Sequence, residues 1–170
     1  MQLTGAMKSK LKSWSDFHHR INLVYHAIIA ISLIPFALVF LDIDSGNETA
    51  SQVEGTNKWI MIAFLLAATF TVCLRVWRNV KKKLETIAPS LDIKKRLIPY
   101  FNFQIQRYFQ LEIGALISLV GLWLTSSYVF VVAYLVVLVQ FSLLRPSQDK
   151  VIRDLQLTKE ERERLKGEEL

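Results

Sequence analysis

Apolar residues along this chain gather into four long blocks, and the charged residues are almost wholly confined between them. A hydrocarbon core of roughly 30 Å needs about 20 apolar helical residues, with about 17–25 tolerated. Ile21 to Leu41 carries no formal charge, and only His26 there titrates near neutrality. Trp59 to Leu74 is also uncharged, and Arg75 and Trp77 extend it with side chains that reach toward headgroups. Between Arg107 and Arg145 the one charge is Glu112. A single helix over that interval would be about 55 Å long at 1.5 Å per residue, nearly twice the core. Thr125-Ser126-Ser127-Tyr128 interrupts it near the middle, which predicts a tight hairpin. The pattern therefore predicts an all-α fold: a four-helix transmembrane bundle with spans at about 21–41, 59–77, 108–125 and 128–144.

A water-soluble helical protein fits this pattern poorly, because a water-facing helix needs a polar stripe. Val129 to Leu144 offers only Tyr134, Gln140 and Ser142. The first block is also a poor signal peptide: it starts near residue 21, is too long, and has no small-x-small cleavage site after it.

Three segments flank or join the spans. Residues 1–20 form a basic N-terminal stretch, 21–144 the transmembrane domain, and 145–170 a charged helical tail. Residues 78–106 read as an amphipathic cytoplasmic loop, a helix broken at Pro89 and Pro99. In it Lys81, Lys82 and Lys83 precede Leu84 and Ile87, and Lys94, Lys95 and Arg96 precede Leu97 and Ile98. Basic and apolar residues interleaved this way suit a surface of anionic lipid headgroups; the alternative is a solvated connecting helix. In the tail, Ser147 is a candidate N-cap for a short helix bearing Val151, Ile152 and Leu155. Thr158 and Glu161 then have capping-box spacing. Docking by the first, apolar half of the tail is the expectation.

Charge sets the orientation. Lys8, Lys10, Lys12 and Arg20 stand against Asp16 before the first span, whereas Asp42, Asp44, Glu48 and Glu54 stand against Lys58 in the first loop. Nine basic residues against Glu85 and Asp92 fill the interval from Arg75 to Arg107. Basic residues near spans concentrate on the cytoplasmic side, so both termini are expected there, in a bacterial inner (plasma) membrane. Trp59, Trp123 and Tyr128 would form the outer aromatic belt, and Trp77, Tyr100 and Tyr108 the inner one. The basic excess then implies an anionic inner leaflet as partner, and no nucleic acid.

Close helix approach in lipid is marked by small residues. The third span shows Gln110, Gly114, Ser118, Gly121 and Thr125 on one stripe; the second shows Ala63, Ala67 and Thr71, with Arg75 continuing the row. His26, Ala30 and Ala37 share a face of the first span, and Ala133 and Gln140 lie seven apart in the fourth. These faces are expected to meet in the bundle. Pro35 interrupts the first span, and Ser32 is a neighbour able to satisfy the carbonyl it frees.

Composition adds exclusions. With 170 residues the chain has room for one domain, and 52% of them are apolar. The mean hydropathy of +0.28 suggests a membrane less strongly than the blocks do. Cys73 is the single cysteine, so no intramolecular disulfide or thiol relay can form. Of His18, His19 and His26 only the last lies in a span, so no bis-histidine haem is expected, and neither metal nor cofactor is implied. Glycine-rich phosphate loops, H-E-x-x-H and C-x-x-C are missing from the sequence.

One polar constellation stands out. Counted from the basic ends, His26, Arg75, Glu112 and Gln140 fall at depths of roughly 5–9 Å. Ionisable groups inside a membrane are functional candidates, so an inner-leaflet site with Glu112 paired to Arg75 or His26 is one reading; separate snorkelling to the headgroups, or ordinary structural pairing, is the other. The functional expectation is a non-enzymatic scaffold or accessory subunit working through the basic loop and a cytoplasmic protein partner on the tail. The alternative is a small homo-oligomeric channel or transporter using the polar residues. A membrane enzyme comes third, for want of an acid–base or nucleophile set.

Overall fold

The computed structural model describes residues 14–46, 55–78, 84 and 93–166. Among these the chain forms six helices and no strand: α1 Trp14–Asp44, α2 Thr56–Arg78, α3 Ile93–Thr125, α4 Val129–Leu144, α5 Gln148–Asp154 and α6 Lys159–Lys166. Three of them, α1, α2 and α3 from Arg96 onward, are long and apolar enough to cross a membrane. Counted with α5 as one broken span, α4 makes a fourth. The chain divides into two units, one of residues 1–25, 79–106 and 145–170, the other of residues 26–78 and 107–144.

The apolar unit, 26–78 with 107–144, is built from stripes. In α1 the buried row is Ile28, Ser32 and Phe36; in α2 it is Ile62, Thr69, Cys73 and Val76. In α4 it is Phe130, Tyr134, Val137, Phe141 and Leu144, alternating steps of four and three that keep one helical face inward. Burial on α3 covers more of its circumference, with Leu111, Glu112, Ala115, Ser118, Leu122 and Thr125 all enclosed. Half of the most apolar window of α3 is buried, against 22% for α1 and for α2. Outside these rows Leu38, Phe64, Phe70, Val132 and Val139 point away from the protein. Soluble monomers rarely leave such contiguous apolar surface uncovered.

The small residues do not all lie where close approach was expected. Gly114 and Gly121 are enclosed, but Ala63, Ala67 and Thr71 face outward, as do His26 and Ala37. Volume matching explains this. A side chain at Gly114 would touch Val72 and Val137, and one at Gly121 would collide with the Phe130 ring. Because α3 supplies the hollows, its neighbours must supply bulk, and the alanine row of α2 turns away. Hydroxyls in the helices are largely satisfied locally: Ser118 donates to the Gly114 carbonyl at 3.0 Å and Thr125 to that of Gly121 at 2.7 Å.

The hairpin between α3 and α4 is as short as the sequence implies. Ser126 takes a left-handed conformation at φ 49° and its N–H closes on the Leu122 carbonyl at 2.8 Å, the geometry that ends many helices. The break expected at Pro99 does not occur, since α3 runs through it. Proline removes the one bond to residue 95 and costs about 3 kcal/mol. Buried Leu97, Tyr100, Phe101 and Gln104 on either side outweigh that cost.

The second unit packs the start of α1, the first half of α3 and the tail. Trp14, Phe17, Ile21, Leu97, Tyr100, Phe101, Val151, Leu155 and Leu157 are its buried side chains. The Phe17 and Phe101 rings meet edge to face with centroids 5.8 Å apart. Helix α5 starts at Ser147, whose hydroxyl accepts from the Lys150 N–H at 3.2 Å. It ends with Gln156 at φ 48°, where the Leu157 N–H reaches the Ile152 carbonyl at 3.1 Å and the Gln156 N–H the Arg153 carbonyl at 3.3 Å. This pair of bonds is a Schellman motif. The capping box then opens α6: the Thr158 N–H donates to Glu161 at 2.8 Å, and the Glu161 N–H to the Thr158 hydroxyl at 3.3 Å.

Candidate functional site

In the apolar unit the chemistry concentrates on Glu112. The residue is only 4% exposed, although the stretch of helix it sits on, from Leu111 to Gly121, is otherwise apolar except for Ser118. The Ser32 hydroxyl, from α1, donates to Oε2 at 3.1 Å. The Tyr134 hydroxyl, from α4, lies 3.3 Å from the Ser32 oxygen. Since Ser32 has one proton and spends it on Glu112, Tyr134 is the donor in that second bond. The Tyr134 ring is fixed by stacking on Phe36, with centroids 3.7 Å apart and planes within 8°. Three helices thus converge on one carboxyl group, and the donors line up in one direction, Tyr134 to Ser32 to Oε2. The other oxygen, Oε1, is buried with no hydrogen-bond partner.

The remaining residues of the expected constellation lie elsewhere. His26 and Arg75 are exposed, and Glu112 pairs with neither: its hydrogen-bond partner is Ser32. Half-buried Gln140 sits against the Cys73 thiol, and its own carbonyl oxygen is buried without a partner. Counted along α3 from the basic loop, Glu112 is near the span's end, but its partner on α1 is not near either end of its own stretch. Its serine partner lies eleven residues past Ile21 and nine before Leu41, or roughly 14–17 Å from either end of that stretch. Snorkelling requires an exposed head group, which this carboxyl group lacks. Ser32 and Tyr134 were the residues sequence reasoning missed as partners. The available signal was the rule that a buried carboxyl group must find donors, applied to the few hydroxyls on the other spans.

In the other unit the polar centre is Arg96. Read from sequence as a headgroup contact, it is 4% exposed and pairs instead with Glu161 at 3.1 Å. Its guanidinium also donates to the Leu155 carbonyl, one of the free carbonyls at the end of α5. An arginine buried beside a helix end finds both a carboxylate and unpaired carbonyls there, a stronger set of partners than hydrated headgroups. One turn on, the Tyr100 hydroxyl donates to Asp154 at 3.0 Å and accepts from the Gln104 amide at 2.7 Å. Arg162 donates to the Leu157 carbonyl at 3.0 Å. Together these fasten the tail to the first half of α3. Lys81, Lys82 and Lys83 lie outside the described residues, as do the side chains of Lys94 and Lys95. Tyr100 and Tyr108, expected at the inner aromatic belt, are fully buried, and Tyr108 donates to the Leu144 carbonyl at 3.2 Å. By contrast Trp59, Trp77, Trp123 and Tyr128 are exposed.

Near the start of α1, His18 stacks on Trp14 and the Asn22 amide lies 2.8 Å from its Nε2. Burial, and then the positive charge of Arg145, hold its imidazole below the ordinary value of 6.5. At the far end of the apolar unit, Gly55, Thr56, Lys58, Trp59, Ile62, Ser126, Ser127 and Tyr128 line an open cleft of about 580 Å³. Among the described residues no cluster of histidine, cysteine and carboxylates has the geometry of a metal site. Set beside known protein families, curated proteins and solved structures, the chain matches none of them.

Proposed function

We propose that this chain crosses a membrane four times as a helical bundle, with both termini and the 78–106 loop in the cytoplasm, and serves as a non-enzymatic scaffold or accessory subunit. The bilayer reading is supported by helices whose large apolar side chains point outward, and the orientation by the basic excess around residues 75–107. At 16 residues, α4 spans roughly 24 Å, a shortfall that local bilayer thinning accommodates. The basic loop meets an anionic inner leaflet.

The observation that carries the scaffold reading is the fastened tail. Arg96 and Tyr100 engage α5 and its C-terminal carbonyl, with Gln104 bracing Tyr100, and Lys159, Glu160, Arg162 and Glu163 of α6 stay exposed. A helix held at its base with a charged outer face is suited to a cytoplasmic protein partner. Cross-linking in native membranes followed by affinity purification tests this. A partner recovered with the full chain should be lost with Arg96→Leu; the same recovery from both chains would contradict the reading.

A second reading, a small homo-oligomeric channel or transporter, is favoured by one observation, the buried Glu112 among hydroxyl groups. Purified protein that runs as a symmetric oligomer and passes ions or solutes across liposomes would favour it over the scaffold.

A further inference from the structure

We propose that Glu112, Ser32 and Tyr134 form a binding site for one exchangeable monovalent cation, a proton or an alkali ion, seated at Glu112 Oε1. The case begins with charge. Removing a carboxylate from water without a partner is costly, so the group is either matched or neutralised. Matching by a neighbouring side chain is not what the geometry shows. From α1 the carboxyl group meets a serine and from α4 a tyrosine. Arg107, the buried arginine on the same helix, stands five residues away, roughly 140° around it. Toward the basic end of the same helices lie exposed His26, Arg75 and Arg78 and buried Tyr108, which donates to the Leu144 carbonyl; Cys73 faces Gln140, and Asp42, Asp44, Lys58 and Tyr128 belong to the opposite end.

The hydroxyl chain reinforces this. Ser32 donates to Oε2 and Tyr134 to Ser32, so both hydroxyl protons serve one side of the carboxyl group and Oε1 is left buried with nothing to accept from. A positive ligand at Oε1 completes the set. The polar atoms gathered at this point, the carboxyl group and the Ser32 and Tyr134 hydroxyls, are all oxygen, the donor type that suits hard cations. One carboxylate supplies one negative charge, so a monovalent ligand leaves the site neutral, whereas a divalent ion would leave a net positive charge inside the apolar unit. Position adds that Ser32 lies near the middle of the 21–41 stretch, beyond the reach of headgroup counterions. This inference rests on the membrane-spanning reading of the helices, and is independent of what the tail binds.

The test uses the full chain purified in detergent and treated with dicyclohexylcarbodiimide, an apolar reagent. A protonated carboxyl group adds across one C=N bond of the reagent, its proton passing to nitrogen, and the acyl group then shifts from oxygen to nitrogen to give a stable adduct. Peptide mass mapping is expected to find that adduct on Glu112 and to lose it in Glu112→Gln. Protection by sodium chloride but not by choline chloride assigns an alkali ion as the competing ligand; labelling insensitive to sodium assigns the proton alone. A second measurement covers a site already filled by sodium. Sodium should then raise the melting temperature of the wild-type chain and not of Glu112→Gln or Ser32→Ala, each checked for an intact helical spectrum. Absence of both the adduct from pH 5 to 9 and any sodium-dependent shift overturns the proposal. Failure of the membrane reading looks different, as a chain that stays dispersed without detergent.

Discussion

The two enclosed glycines of α3 differ in what they can accept. A methyl group at Gly114 would meet Val72 at 3.6 Å and Val137 at 3.8 Å, which is ordinary contact, whereas at Gly121 it would run into the Phe130 ring. Phe130 is itself fully buried and has nowhere to retreat. Gly121→Ala should therefore destabilise the protein by about 1–3 kcal/mol through overpacking, and Phe130→Leu should restore part of the loss. Gly114→Ala should be close to neutral. Thermal unfolding in detergent, compared across the four chains, checks both expectations. His18 carries a pH effect with a definite sign. Its folded-state value lies below 6.5 because of burial and Arg145, so the unfolded chain takes up the proton first as pH falls. Stability should thus be full above about pH 6.5 and decline as pH drops through the folded value. Melting curves from pH 7.5 to 5 should flatten in His18→Gln. At this scale the sequence disclosed Glu112 as the unusual residue, because a lone charge in an apolar run is visible locally. It did not disclose Ser32 and Tyr134 as partners, since serine and tyrosine occur in spans for many reasons and the pairing joins positions 80 and 102 residues apart.

Helix ends were the elements most open to reading. Ser147, the Thr158–Glu161 box and the 125–128 turn are set by neighbours within three or four residues, and the bonds form as their spacing implies. Helix faces were harder. The alanine row of α2 looked like a packing surface, yet what a helix presents depends on whether its neighbour offers hollows or knobs, and α3 offers hollows. Pro99 was misleading for a similar reason: buried residues around it outweigh a local penalty. Arg96 read as a headgroup residue because its carboxylate partner lies 65 positions on. One consequence concerns the end of α5, where Gln156 holds a left-handed φ of 48°. Glycine adopts that conformation without the penalty of about 1 kcal/mol that a side chain imposes. Gln156→Gly should therefore tighten the tail, slowing hydrogen exchange across 151–157. Unchanged or faster exchange would show that the Gln156 side chain contributes more than its backbone strain costs.

Across the whole molecule, two kinds of solvation divide the work. The unit of residues 26–78 and 107–144 has inward rows of mixed polarity and outward faces of leucine, valine and phenylalanine, which suits solvation by lipid. The other unit has buried aromatics, a half-buried ion pair and capped polar helices, a composition that water favours. The account depends on the apolar unit lying within the bilayer with the two ends of its helices on opposite sides. Single cysteines at Gly46, Ser127 and Ser147 test that directly, the native Cys73 being buried. On intact cells a membrane-impermeant thiol reagent should modify Gly46→Cys and Ser127→Cys, and should reach Ser147→Cys only after the membrane is opened. Equal modification of all three in intact cells would contradict the four-span topology.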